Sequence, residues 1–527
     1  MPPLAIRPTQ LHPHPYSGIE AFTETIQATF ASAVAAHPDA TYAIDDDVRL
    51  TLAELAGRAG SLQRRLREAG VGSGDVVTLQ LPNWWETIAA MHATWGLGAI
   101  VNPVTPIYRG TELQGILATS RPKVVIAPAS YRELDYRAMI AGALAAVGHD
   151  ASILTVRAPG STDSTTDEFE FAVADPDDVA MLMYTSGTTG RPKGVLHSHR
   201  TLLYEAQSIS DTFELSAGSI FMPSPLTHIT GLLYGVLMPL QLGGRVVLMD
   251  RWDPDAAVRL IEHDGCTTTV SATPFLRGLT DAYTRTGTTS SLSTFICGGA
   301  DIPAMLVAKA LEVMGTAVAR TYGSTEMPTL CIVRPDDVGA VRLATEGRVI
   351  GEARARLASE TDGVGELEVR GPELFVGYLD PHDNQSAFTA DGWFKTGDLA
   401  RFAPSGDVTI VGRLKDVIVR GGENISAKEV EDLLIRHSAI QDVAIVGIPD
   451  DIMGERACAV VVTDVESLKL ADLISHLAAS DIAKQKYPEA LYIVPELPRT
   501  VSGKVQKFQL REDAVRALAE GRVQSRQ

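Results

Sequence analysis

The segment Tyr184-Thr185-Ser186-Gly187-Thr188-Thr189-Gly190-Arg191-Pro192-Lys193-Gly194 has the residue types needed to hold a polyphosphate. Glycines let backbone N–H groups approach an anion closely, the hydroxyls donate further hydrogen bonds, and Lys193 supplies charge. A flexible surface turn is the competing reading. A Walker A loop is a third, but it requires G-x-x-x-x-G-K-[ST]. Here the spacing is Gly187-x-x-Gly190-x-x-Lys193-Gly194, which excludes it.

Further clusters follow along the chain. Pro225-Leu226-Thr227-His228-Ile229-Thr230-Gly231 sets a histidine beside a glycine turn; alone, it reads as a buried core histidine. Cys297-Gly298-Gly299-Ala300-Asp301 closes a strand-like run with small residues. Thr321-Tyr322-Gly323-Ser324-Thr325-Glu326-Met327 combines a flat ring, hydroxyls and a carboxylate. Trp393-Phe394-Lys395-Thr396-Gly397-Asp398 precedes Gly412-Arg413-Leu414-Lys415 and Arg420-Gly421-Gly422-Glu423-Asn424-Ile425-Ser426. Pro498-Arg499-Thr500-Val501-Ser502-Gly503-Lys504 comes last. Each alone could be a turn or a solvated charge.

Taken in order, the clusters resemble the motifs of the adenylate-forming superfamily: acyl-CoA synthetases, non-ribosomal peptide adenylation domains and firefly-type luciferases. The resemblance runs over about residues 22–511. It implies that Thr185, Ser186, Gly187, Thr188, Thr189, Gly190 and Lys193 bind the phosphates of ATP. Gly299, Ala300 and Asp301 would flank the adenine. Of Thr321, Tyr322, Gly323, Ser324 and Thr325, Tyr322 would stack on adenine and Thr325 would bond the α-phosphate. Glu326 would hold Mg²⁺, a hard cation that prefers oxygen ligands shared with phosphates. Asp398 would accept both ribose hydroxyls, assisted by Arg413. His228, Gly231, Gly235, Thr273, Gly298, Gly299 and Met327 would line the acyl pocket, the glycines leaving room for a wide acid. Lys504 would be the catalytic lysine, acting with Thr185, Glu326 and His228. Lys415 would be a hinge, and Gly421, Gly422 and Glu423 would line the CoA route.

The implied reaction has two steps. A carboxylate attacks the α-phosphorus of ATP and expels pyrophosphate. It needs no general base, only alignment and neutralisation of the charge that builds up. CoA thiolate then attacks the acyl-adenylate and releases AMP. A lid carrying Lys504 would also keep water from the adenylate.

The elements that must position these residues read as α/β. Leu52, Leu55, Ala59, Leu62 and Leu66 have helical spacing. Strand-like runs cover 75–81, 123–127, 179–184, 245–249 and 294–297, with helix-like segments between, the pattern of largely parallel strands. Residues 158–178, rich in Ser, Thr, Gly, Pro and Asp, read as an exposed connection. Ser426-Ala427-Lys428-Glu429 has capping-box form, and a strand follows over 442–448. The expected fold is a large multi-layer domain with mixed sheets over 1–411, a hinge at 412–416 and a small mobile α+β lid over 417–527.

Composition narrows the function. The chain has 527 residues and a net charge of −19, which disfavours nucleic acid and anionic lipid. The apolar stretch 87–104 is broken by His92, Gly96, Gly98 and Pro103 and reads as buried helix and strand, not an integral membrane span. Cys266, Cys297, Cys331 and Cys458 form no C-x-x-C pair, and read as buried thiols of a cytoplasmic protein. The resemblance also implies that an amino acid is not the substrate: amino-acid adenylation domains carry an Asp in the pocket region to pair the substrate amine, and the matching Leu226-Thr227-His228 has no acidic residue. Segments 229–240, 272–276, 420–426 and 485–489 most resemble medium-chain fatty acid and cyclohexanecarboxylate-type CoA ligases. The expected partners are a medium-chain, alicyclic or bulky polycyclic acid, ATP and CoA, with a homodimer implied by the resemblance alone. Competing readings are transfer of the acyl group to a carrier protein or partner ligase, a luciferase-like oxidase, and a non-catalytic ATP-binding regulator.

Overall fold

The computed structural model describes residues 23–157, 166–185, 192–299, 302–337, 339–420, 423–450, 452–465, 467–480, 482–500 and 503–525. Contacts divide the chain into two compact units, one of residues 1–354 and 370–394, the other of 355–369 and 395–527.

The first unit is built on two large sheets. The nine-stranded sheet sets Ser219–Met222, Cys266–Ala272, Thr294–Gly298 and Ala317–Tyr322 side by side and parallel, with Ala272 opposite Gly298 and Cys297 opposite Arg320. The seven-stranded sheet has a parallel centre of Val76–Leu79, Ile100–Pro103 and Val124–Pro128. Its other side ends in the antiparallel strands Val179–Thr185, Lys193–Ser198 and Gly377–Tyr378. These short runs of β-branched residues are buried along their length, as strands covered on both faces must be. The sheets are mixed and the class is α/β, as the periodicity indicates.

Local signals agree with this architecture. Helix Leu52–Glu68 opens on a capping box in which the Thr51 hydroxyl accepts from Glu54 N and the Glu54 carboxylate accepts from Thr51 N. The broken apolar stretch becomes helix Trp85–Trp95, wholly buried, and strand Ile100–Pro103. No helix among the described residues is long and apolar enough to cross a membrane. All four cysteines are buried, and burial pushes the thiols of Cys266, Cys297 and Cys458 up to about 12.

The connection expected to be exposed over 158–178 is in part docked. Phe169 packs edge-on to Phe30, and Gln63 Nε2 donates to Glu170 O at 2.6 Å. Composition hid this because two aromatics in a polar stretch, Phe169 and Phe171, suffice to anchor it on Phe30.

The second unit holds a four-stranded sheet of Arg354–Thr361, Val364–Arg370, Phe394–Phe402 and Val408–Arg413. A second sheet pairs Asp442–Asp450 with Gly454–Val462 and adds Val417–Arg420, Glu423–Ser426 and Ala490–Ile493. Helix Ala427–Leu434 starts where Ser426 accepts from Glu429 N at 3.3 Å, as the capping pattern indicates.

Candidate active site

In an open parallel sheet, ligands sit beyond the carboxyl ends of the strands. At those ends, in the nine-stranded sheet, lie Thr273, Gly298 and Tyr322, each the last strand residue or the one after it. The Thr273 hydroxyl lies 3.8 Å from Cys297 Sγ, so these neighbouring ends touch. Sequence positions tens of residues apart thus meet on one rim.

The loop after Tyr322 is tightly folded. Ser324 N donates to Met327 O at 2.8 Å, and Leu330 N to Tyr322 O at 3.0 Å. A Cβ on Gly323 would stand 1.9 Å from Pro328 O, so only glycine permits this turn. The loop presents Thr325 and Glu326. His197 Nε2 lies 2.8 Å from Thr325 O and Phe375 N donates to Glu326 O at 2.8 Å. The Tyr378 hydroxyl donates to Glu326 Oε1 at 2.8 Å. Burial, and then the Glu326 carboxylate, push the Tyr378 phenol far above its ordinary value, so it stays a donor.

Strands Val179–Thr185 and Lys193–Ser198 form a hairpin in which Thr185 and Lys193 are cross-strand partners. They stand at the mouth of the expected phosphate loop. Lys193 Nζ lies 3.5 Å from Asp383 Oδ1 and 4.8 Å from the Tyr378 ring centroid. Lys193, Tyr378 and Glu326 therefore form one charged neighbourhood. Ser186, Gly187, Thr188, Thr189 and Gly190 lie outside the described residues, as do Ala300, Asp301, Gly421 and Gly422.

His228 caps the helix that follows it, its Nδ1 accepting from Thr230 N at 3.4 Å. It is only half-buried, unlike a core histidine. The glycines differ from expectation. A Cβ on Gly231 would stand 2.1 Å from Pro225 O, one on Gly235 2.8 Å from Met222 Cγ, and one on Gly298 2.6 Å from Thr321 Cγ2. On those sides the space is filled by close packing, not left for a wide acid. Gly299, at φ +82, has nothing within 4 Å of such a Cβ among the described residues and opens there. Met327 is buried, its Cε near Gly371.

Besides Tyr378, Asn83 and His197 escaped the sequence reading. Asn83 Nδ2 donates to Ser224 O at 2.8 Å and Met249 O at 3.1 Å, while its Oδ1 accepts from Leu226 N at 2.8 Å. It pins the turn that carries His228. His197, fully buried, supports Thr325. Its one signal is even spacing from Lys193, which puts both on one face of a strand.

The second unit gathers its own set. Asp398, 4% exposed, is the cross-strand partner of Arg413, whose Nε lies 2.7 Å from Asp398 Oδ1. Lys415 lies in a short 3₁₀ turn directly after. Desolvation, then Arg413 and Lys507, hold its amine below the ordinary lysine value, against Asp416 and Asp398, although much of the side chain reaches solvent. Arg420 and Glu489 form a bidentate pair, both contacts 2.8 Å, beside the Gly421-Gly422 step. Glu423 is the backbone cross-strand neighbour of Arg420 in the hairpin. Lys504 follows a turn in which Gly503 N donates to Thr500 O at 2.9 Å and Thr500 N to Lys504 O at 2.8 Å.

Residues 30–379 match the family model for AMP-binding enzymes, and residues 429–504 match that for the AMP-binding enzyme C-terminal domain. The medium-chain fatty-acid–CoA ligase of Escherichia coli (strain K12) is 35% identical over 92% of this chain and 89% of its own length. The 2-hydroxy-7-methoxy-5-methyl-1-naphthoate–CoA ligase of Streptomyces carzinostaticus is 35% identical over 91% of each. The crystal structure of ATP-bound MatB from Rhodopseudomonas palustris superposes with a TM-score of 0.84 at 28% identity, covering 93% of this chain and 99% of that one.

Proposed function

Because this chain belongs to the AMP-binding enzyme family and is an AMP-forming acid–CoA ligase that uses ATP and CoA, we propose that its acid is a medium-chain, alicyclic or bulky polycyclic carboxylic acid. The observation that carries the site is the convergence of Thr273, Gly298, Tyr322 and the Glu326 loop at neighbouring strand ends. The substrate class is supported by the names of the two relatives, one acting on a medium-chain and one on a bicyclic acid. The lack of an acidic residue in Leu226-Thr227-His228 supports an acid without an amine. The packed glycines give no support for pocket width; among the described residues, Gly299 does. A cytoplasmic location belongs to the same proposal.

The residue roles are proposals of the same kind. Thr185 and Lys193 hold the departing phosphates, Tyr322 stacks on adenine, and Thr325 bonds the α-phosphate. Asp398 and Arg413 hold the ribose, and His228 shapes the acid end of the pocket. Glu326 suits Mg²⁺, because that ion takes one or two carboxylates and completes its shell with water and substrate phosphate. Tyr378 fixes one carboxylate oxygen, and among the described residues none bonds the other, which suits such a ligand. Bound there, the ion would neutralise phosphate charge as pyrophosphate leaves. Lys504 serves adenylation, Lys415 is the pivot between half-reactions, and Gly421, Gly422 and Glu423 serve CoA.

The test is a panel of short, medium and long fatty, aromatic, alicyclic and polycyclic acids with Mg²⁺-ATP, with and without CoA, read by mass spectrometry. Acyl-CoA with stoichiometric AMP from medium-chain or alicyclic acids is expected. Preference for acetate or benzoate would remove the substrate reading. A persistent adenylate in the presence of CoA would move the second step to a carrier or partner.

A further inference from the structure

Helical residues 229–242 are not one regular helix. Helix Ile229–Leu232 passes into a π-helical stretch, Leu233–Leu237, and then into Met238–Leu242. Such wide turns are rare and cluster at functional sites. Tyr234 lies inside this one. Its hydroxyl donates to Glu205 Oε1 at 2.5 Å and lies 2.9 Å from Thr329 Oγ1. All three residues are buried, Glu205 completely. The ring alone would fill its place equally well as phenylalanine, so the hydroxyl is there for its contacts.

Those contacts join two parts of the site. Thr329 is three residues beyond Glu326, in the loop that closes on Tyr322 and is braced by Phe375 N. Tyr234 is six residues beyond His228, on the segment read as the acyl wall. Behind them lies Glu373, fully buried, with neither carboxyl oxygen hydrogen-bonded among the described residues. Burial, and then the nearby Glu205 charge, push its carboxyl well above the usual range. Burial also pushes Glu205 up to about 7. Two buried carboxyls near one another cannot both ionise cheaply, and Glu205 Oε1 accepts from the Tyr234 hydroxyl in a dry setting.

We propose that Tyr234 is a positioning residue: through Thr329, its hydroxyl ties the acyl-pocket helix to the loop that presents Glu326. This rests on the reading of Glu326 as the metal-loop carboxylate. The hydroxyl does not touch substrate. It sets how firmly the loop holds its carboxylate, and it lets the pocket helix and the metal loop move only together.

The experiment, on the full chain, is pyrophosphate exchange with the preferred acid, varying acid, ATP and Mg²⁺ separately, with Mg²⁺ binding to the ATP-bound chain read alongside by titration calorimetry. Tyr234→Phe is expected to raise the half-saturating Mg²⁺ concentration about three- to tenfold, the worth of one hydrogen bond. The acid KM should move less than about twofold, because the pocket wall keeps its shape. Thr329→Val should give the same shift, Thr329→Ser should restore wild-type values, and the double variant should be no worse than either single one. Should Tyr234→Phe fail to fold, the Thr329 pair carries the same test. A shift confined to acid KM, additive losses, or no shift would overturn the proposal. The Glu326 reading fails separately, if Glu326→Gln leaves the Mg²⁺ dependence unchanged.

Discussion

At the scale of single residues, the reading turns on charge held in defined places. Lys504→Ala is expected to reduce adenylate formation about a hundredfold or more, as loss of one transition-state donor does. Thioester formation from supplied acyl-AMP should fall much less. Equal loss of both half-reactions would remove the assignment of Lys504 to the first. Glu205 gives a pH prediction. Its ordinary carboxyl value is 4.5, and in the fold it titrates near 7. Between those values the folded state binds a proton that the unfolded state has released, so this group's contribution to stability falls as pH rises through the window. His92 and His199, pushed down to about 3 and about 4 by burial, act in the opposite sense, losing stability as pH falls below 6.5. The readout is therefore a difference. Denaturant melts should show Glu205→Gln gaining on the wild type by up to about 3 kcal/mol from pH 4.5 to 7. A difference that is flat with pH would show that Glu205 titrates normally.

At the scale of elements, close approach matters more than propensity. The Gly231 contact with Pro225 O fixes how deep the His228 helix sits. Gly231→Ala must push that helix outward, at about 1–3 kcal/mol for overpacking a backbone contact. The expected result is a lower unfolding midpoint together with a raised acid KM. An unchanged KM would mean that helix depth does not set the pocket. Gly323→Ala is sterically more severe, and should abolish exchange activity because the Tyr322–Pro328 turn cannot close. The sequence marked both glycines by motif. The reason first assigned to Gly231, room for a wide acid, differs from the one that packing imposes, which is backbone crowding from a turn six residues earlier.

At the scale of the whole molecule, the two units interleave in sequence. Residues 355–369 group with 395–527, although 370–394 return to the first unit. The strands Phe394–Phe402 and Val408–Arg413 complete a four-stranded sheet begun at Arg354. A chain ending at Arg413 keeps that sheet, whereas one ending at Phe394 leaves an isolated hairpin, marginal in water. Limited proteolysis should find residues 355–369 protected in the first and cleaved in the second. Cleavage in both would show that this sheet depends on residues beyond 413.

Local chemistry was legible in the chain itself. Ser426 and Glu429 mark a helix start, apolar runs mark buried parallel strands, and Thr185 and Lys193 flank the loop proposed to hold phosphate. These signals depend on neighbours within a few residues, so period and turn chemistry reveal them. Only the tertiary structure decided that Asn83 pins the turn before His228, that His197 supports Thr325, and that Tyr234 meets both Glu205 and Thr329. Those pairings span 29 to 143 residues. No local pattern encodes them, because a single hydrogen bond across such a distance follows from how the sheets stack and not from the residues flanking either partner.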